Sequence, residues 1–259
     1  MGDWFEARSA RLQYPARGRS FPPLFINTVP KSGSAFFNDT ITRALQIRQR
    51  RIGANVFPDD VVVLWFIDDF AKKNTLAQSH LPATPRNLAL LSHHMDRLVI
   101  HVRDPRQATL SWTHHLNKVA EKDTLGRDHA IYDPIPEGYF EMSFSDQLSW
   151  QIDHHLPHVV RWIEAWVNVA ENPKAPLKIL MTTYEELKEN SAALVRKILD
   201  FYEIEYQEKW LVIPPPEPGK AHFRKGDPQE WHRVTSSDQA ERAWSHISPD
   251  LIERFGWER

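Results

Sequence analysis

The chain contains no cysteine, which excludes disulfides, zinc–thiolate sites and thiol catalysis. It holds no run of about 18 apolar residues, so no segment reads as a membrane span. The first residues, Met1-Gly2-Asp3-Trp4-Phe5-Glu6, carry acids and no apolar stretch. No secretory signal is therefore expected, and a cytoplasmic location is the default. Neither sign of charge dominates: 32 basic and 34 acidic side chains give a formal net charge of -2. The bulk basic field of a nucleic-acid binder is missing, although a local basic pocket stays open. Internal repeats and low-complexity segments are also absent.

What is present is globular in composition, with 41% hydrophobic and 25% charged residues, enough to build a sizeable core. The 259 residues fit one large domain. We expect an irregular lead-in over residues 1–21, with Arg8, Arg11, Arg17 and Arg19, and one domain over residues 22–259. A homodimer is left open.

The apolar run Leu24-Phe25-Ile26-Asn27-Thr28-Val29 reads as a strand, and a helical pattern follows from about Ala35 to Gln49. Between them lies Pro30-Lys31-Ser32-Gly33-Ser34-Ala35-Phe36. A strand that turns through Lys, Ser and Gly into a helix can cradle an anion, because helix-start N–H groups, an ammonium and hydroxyls converge there. Taken alone the heptapeptide reads equally well as a bare turn. It is not a Walker A loop, whose lysine follows the last glycine; here Lys31 precedes Gly33.

Further along, Arg97-Leu98-Val99-Ile100-His101-Val102 predicts a strand rich in β-branched residues. It ends at Arg103-Asp104-Pro105, where Asp104 suits an N-cap and Pro105 the first helical position. The helix should carry Ser111 and His115. Lys178 to Met181 predicts another strand. Thr183 and Glu186 then form a capping-box pattern that opens a helix to about Tyr202. The run Val61 to Ile67 fits a strand or a buried helix start equally well. Residues 143–170 predict one long helix kinked at Pro157, and a short helix after Ser248-Pro249 ends near Gly256. Strands alternating with helices predict an α/β fold: one domain, a central mostly parallel sheet, and helices on both faces. Ligands of such sheets sit beyond the carboxyl ends of the strands, where Lys31, Arg103 and Tyr184 all fall.

Other candidates have an ordinary reading beside a functional one. Arg103 can fork onto a phosphate with Ser111 as an added donor, or pair with Asp104 or Asp96. Arg224-Lys225-Gly226 suits a phosphate clamp, or is a solvated turn. His80, in Ser79-His80-Leu81-Pro82, suits general-base work, yet it is one of 13 histidines. The doublets His93-His94, His114-His115 and His154-His155 lack ligand spacing, and His154 with His158 is a lone pair, so no metal is expected.

The order of these segments resembles the PAPS-dependent sulfotransferases, from about residue 22 to the C-terminus. Their phosphosulfate loop, Pro-Lys-Ser-Gly-Thr-Thr-Trp, appears as Pro30 to Phe36. Their Lys-Thr-His-Leu-Pro appears as Gln78-Ser79-His80-Leu81-Pro82. Their Arg-Asn-Pro with a serine eight residues after the arginine appears as Arg103-Asp104-Pro105 and Ser111. Their tyrosine before Glu-Asp-Leu appears as Tyr184-Glu185-Glu186-Leu187, and their late Arg-Lys-Gly as Arg224-Lys225-Gly226, followed by Trp231. The resemblance implies a P-loop-like phosphosulfate loop, PAPS as co-substrate, PAP as product and no required metal. It assigns Lys31, Ser32, Gly33, Ser34 and Ala35 to the 5′-phosphosulfate. Arg103, Ser111, Arg224, Lys225 and Gly226 fall to the 3′-phosphate, Phe36 and Tyr184 to the adenine, His80 to the base, and Lys31 to charge stabilisation as well. Gln78 replaces a family lysine, Ala35 a threonine, and Phe36 a tryptophan.

The acceptor is expected to be a small, apolar or lipid-like alcohol or amine, from Trp65, Phe66, Phe70, Tyr132, Tyr139, Phe140, Phe144 and Trp150, half of which would be ordinary core. Asp133, Glu137, Glu141 and Asp146 argue against a polyanionic glycan. Two other classes compete: a P-loop-like phosphotransferase, and a non-catalytic nucleotide-binding protein with a degenerate site, to which Gln78 and Phe36 lend weight.

Overall fold

The computed structural model describes residues 16–54, 56–122, 135–213 and 230–258. Among the described residues, five strands form one sheet: β1 Leu24–Thr28, β2 Arg48–Arg50, β3 Thr75–Ser79, β4 Arg97–Val102 and β5 Lys178–Thr183. Their order is β2-β3-β1-β4-β5, and every pairing is parallel. The chain moves from β1 outward to β2, returns to β3, and then crosses to the far side of β1 to lay down β4. The crevice at the carboxyl end of β1 is therefore the topological switch point.

β1 is buried along its whole length, as a central strand covered on both faces must be. Its side chains alternate between two cores. Phe25 faces a core with Leu98, Ile100, Leu156, Val159, Ile163 and Trp166. Leu24 and Ile26 face a second core with Phe37, Ile41, Leu45, Val99, Val195 and Ile198. Helix α1, Ser34–Leu45, presents Phe37, Ile41, Ala44 and Leu45 to that second core, at the spacing of one helical face.

The run 61–67 resolves as a short extended stretch that leads into a helix. Val62 forms an isolated antiparallel bridge with Gly53, and α2 occupies Leu64–Phe70. α3 covers Pro85–His94, capped by Thr84 and started by a proline. α4 covers Pro105–Lys122. Several boundaries depart from the sequence reading. α1 stops at Leu45, because Gln46 turns left-handed at φ 56°. The long helix expected over 143–170 is two, α5 Phe144–His154 and α6 Leu156–Glu171, with Pro157 in the first turn of the second. There the ring starts a helix instead of bending one. The helix expected from 184 to 202 is also two. The Thr183–Glu186 capping box opens α7, Tyr184–Glu189. Asn190 then ends it and caps α8, Ser191–Phe201, by accepting from the Ala193 N–H. Three further helices, α9 Glu230–Val234, α10 Ser237–Ser245 and α11 Pro249–Phe255, follow. They add Trp231, Ala243 and Leu251 to the first core, and Ile247 joins it from between α10 and α11.

One buried polar residue ties the sheet to the segment after β3. Asn27 is fully buried. Its side-chain amide donates to the Leu81 carbonyl at 2.9 Å and its oxygen accepts from the Leu81 N–H at 2.8 Å. Trp166 Nε1 adds a donor to the same carbonyl at 2.8 Å. Asn27→Ala strands the Leu81 N–H in the interior, and it should lower the unfolding free energy by about 2–3 kcal/mol in a urea titration. A loss below about 0.5 kcal/mol would show that the clamp is dispensable.

Candidate functional site

The loop after β1 is shaped by what holds its carbonyl groups. The Val29 N–H still follows the sheet, donating to His101 O at 3.0 Å. Then Lys31 and Gly33 take left-handed backbones, at φ 66° and 90°. The Ser32 hydroxyl donates to Val29 O at 2.7 Å. Arg103 Nη1 donates to Lys31 O at 2.8 Å, and His101 Nε2 to Ser32 O at 3.1 Å. Three loop carbonyls are thus engaged from within the protein. Among the described residues, the N–H groups of Ser32, Gly33 and Ser34 meet no acceptor. They lie at the start of α1, where the helix dipole favours negative charge. This arrangement fits an anionic phosphoryl or sulfuryl group.

Gly33 is required twice over. Its backbone is left-handed, and a Cβ there would lie 2.9 Å from Leu187 Cδ2 and 3.5 Å from Tyr184 Cε2. Helix α7 therefore packs directly under the loop.

His80 follows β3 as Lys31 follows β1. Its Nδ1 lies 2.6 Å from Thr28 O, and a carbonyl can only accept, so Nδ1 carries the hydrogen and Nε2 keeps its lone pair. Gln78 Nε2 approaches that lone pair at 3.4 Å and also reaches Thr28 Oγ1 at 3.2 Å. Trp162 Nε1 donates to His80 O at 3.2 Å, which fixes the backbone behind the ring. Burial pushes the imidazole pKa below its ordinary 6.5, and Lys31 adds to the fall. The Thr28 carbonyl and the Asp60 carboxylate pull the other way. Asp60 is itself fully buried and accepts from the Ser79 hydroxyl at 2.7 Å.

On the other side of β1, Arg103 is buried, with its guanidinium 4.2 Å above the Tyr184 ring. Neither surface pairing considered for it is found. Asp104 instead takes Arg106, in a two-pronged contact at 3.0 and 2.7 Å, and caps α4 through the Arg106 N–H at 2.9 Å. Asp96 pairs with Arg97. Arg106 also donates to Glu258 O at 2.6 Å and lies over Trp244, joining the start of α4 to the C-terminal helices.

The strand ends therefore bring Lys31, Ser32, Gly33, Arg103, Tyr184 and His80 to one edge of the sheet. Ser34, Ala35 and Phe36 form the first turn of α1. Phe36 is half-buried, edge-on to Phe37, and packs against the second core. Ser111 is half-buried on the second turn of α4. Arg224, Lys225 and Gly226 lie outside the described residues, as does Tyr132. Of the aromatic residues expected around an acceptor, Tyr139, Phe140 and Trp150 meet one another, and Trp65 meets Phe66. Phe70 is core against Phe25. Tyr139 is buried and accepts from Gln151 Nε2. Trp65 is 71% exposed.

Sequence reasoning missed Asn27 and His101 as parts of the site. A signal for His101 was present, since a lone polar residue inside the β4 pattern falls on a buried face. Among the described residues, no group of three His, Asp or Glu is placed to hold a metal, and no helix is long and apolar enough to cross a membrane.

The family model for the sulfotransferase domain matches residues 21–213. Among solved structures, the chain is similar to mouse sulfotransferase SULT7A1 complexed with PAP, with 16% identity and a TM-score of 0.60 over 95% of this chain and 92% of that one. It is also similar to a sulfotransferase from Alicyclobacillus acidocaldarius, with 12% identity and a TM-score of 0.43 over 90% and 99% of the two chains. No curated protein sequence matches. The first structural likeness is one of fold, and the second is too slight to carry an argument.

Gly33→Ala must strain a left-handed residue and push Leu187 aside. It should destabilise the protein by about 1–3 kcal/mol in chemical denaturation. Trimming Leu187 to alanine in the same chain should remove the steric part but not the backbone part. A Gly33→Ala protein as stable as the parent would mean that the loop relaxes freely.

Proposed function

The chain belongs to the sulfotransferase domain family, and from that premise we propose that it transfers a sulfuryl group from PAPS to the hydroxyl or amine of a small, apolar acceptor. The observation that carries this reading is the pairing of an anion loop with a pinned, uncharged imidazole across β1: Thr28 O holds His80 Nδ1 at 2.6 Å, so Nε2 is the basic nitrogen.

The donor supplies an electrophilic sulfur attached to a phosphate that can leave. Lys31 and the N–H groups of Ser32, Gly33 and Ser34 bind the anionic end and stabilise charge on the bridging oxygen as the sulfur–oxygen bond breaks. Ala35 adds the next backbone position of the first turn. His80 Nε2 accepts the acceptor's proton while its oxygen or nitrogen bonds to sulfur. Arg103 and Ser111, with Arg224, Lys225 and Gly226, hold the 3′-phosphate. The planar, five-donor fork of a guanidinium suits a phosphate at Arg103. Phe36 and Tyr184 flank the adenine. The product is PAP.

The loop's lysine-before-glycine order and the second phosphate clamp favour a 3′,5′-bisphosphate over ATP. Titration calorimetry with PAP, ADP and ATP tests this: strong PAP binding and negligible ATP binding support the transferase, and the reverse order replaces it with a phosphotransferase. His80→Ala should reduce turnover by about 10²–10⁴-fold with labelled sulfuryl donor, while PAP affinity stays within a few-fold. Full turnover in that variant would remove His80 as the base.

The neutral imidazole is the competent form. Burial lowers its pKa below 6.5, so the acid limb of kcat/KM should have its midpoint below that value. The sign for stability follows. The unfolded chain binds this proton more readily than the folded one, so His80 destabilises the fold progressively as pH falls from about 6.5 towards its lowered folded value. An acid limb above 6.5 would contradict the buried, neutral base.

A further inference from the structure

His101 is a fully buried titratable group with no place in the chemistry above. It sits in β4 opposite Thr28 of β1. Its Nε2 lies 3.1 Å from Ser32 O, which can only accept, so Nε2 carries the hydrogen. Its Nδ1 then accepts from the Thr182 hydroxyl of β5 at 2.8 Å. The ring is held edge-on by Phe37 at 4.7 Å. Thr182 is fully buried as well. A chain of hydrogen bonds thus runs from the outer strand β5, through β4, to the loop that follows β1.

Peptide planarity gives this chain its consequence. The Ser32 carbonyl and the Gly33 N–H belong to one trans peptide and point in opposite directions. Holding the carbonyl against His101 aims the Gly33 N–H away from the protein interior. Arg103 does the same to the preceding peptide through Lys31 O, at 2.8 Å, and so aims the Ser32 N–H. Two successive donors are oriented from behind, in a stretch whose left-handed residues at Lys31 and Gly33 would otherwise favour relaxation. Burial drives the His101 pKa down to about 3, against the Ser32 carbonyl's preference for the charged form. The imidazole therefore keeps one donor and one acceptor at neutral pH, matching its two partners.

We propose that His101, braced by Thr182, is a positioning residue that sets the Ser32–Gly33 peptide for anion binding. The ligand's identity rests on the reading of the loop as a phosphosulfate site; the orientation of the peptide does not.

The test compares the parent with His101→Leu, His101→Gln and Thr182→Val. His101→Leu keeps apolar volume and removes the donor, and a glutamine amide can restore it. PAP affinity by calorimetry should fall about tenfold in His101→Leu, recover to within about threefold in His101→Gln, and fall by a smaller factor in Thr182→Val. The amide chemical shifts of Ser32, Gly33 and Ser34 should differ between the leucine and glutamine variants, with those of the glutamine variant nearer the parent's, and global unfolding measured alongside. Leucine and glutamine variants of equal PAP affinity and equal amide shifts would overturn the proposal. If the parent itself fails to bind PAP, the assigned donor is wrong, and the shift comparison alone still decides the positioning role. If His101→Leu fails to fold, Thr182→Val carries the decision, and parent-like affinity and amide shifts there overturn it.

Discussion

The parallel pairing of β1 with β3 on one side and β4 on the other is the constraint on which the rest depends. Asn27 stands opposite Ser79 and Thr28 opposite His101, so all three strands end level. A loop leaving β1, a histidine leaving β3 and an arginine leaving β4 must then share one edge. Antiparallel pairing would have sent one of these groups to the opposite end of the sheet. These three groups meet without reaching from distant elements, because adjacent strand ends lie about 5 Å apart.

Two kinds of support keep this edge rigid. One is main-chain: Thr28 O holds His80, and Lys31 O is held by Arg103. The other is aromatic packing beneath polar groups. Tyr184 lies under Arg103, and Trp162 and Trp166 reach from α6 to the carbonyls of His80 and Leu81. The indole donors satisfy carbonyls that the sheet no longer pairs, which is how a loop can be buried without orphaned polar atoms.

Much of this was legible in the sequence, for physical reasons. β1 and β4 are short apolar runs, and α1 and α4 open with a glycine turn and an Asp-Pro start. β3 was not legible as a strand. Thr75-Leu76-Ala77-Gln78-Ser79 has few strong β-formers, and it owes its conformation to pairing on both sides, with β1 and β2. β2, Arg48-Gln49-Arg50, offers no apolar residue at all and survives as an edge strand. His80 was accordingly found through the resemblance of its neighbours, not through a strand end. The break at Asn190 was missed, and Pro157 was read as a kink and not as a helix start, because a cap and a helix start can interrupt a pattern without disturbing its hydrophobic period. The His101 contact was unreadable because it joins residues 69 apart in sequence.

The buried Asp104–Arg106 pair gives the C-terminal helices a significance beyond bulk. The family match ends at residue 213, yet Arg106 grips the Glu258 carbonyl and lies over Trp244. The acid that caps α4 thus takes its counterion from a side chain anchored in the last residues of the chain. The start of α4, next to Arg103, is thus moored to a part of the chain that the family model does not match, so the edge of the sheet and the C-terminal helices share one fastening.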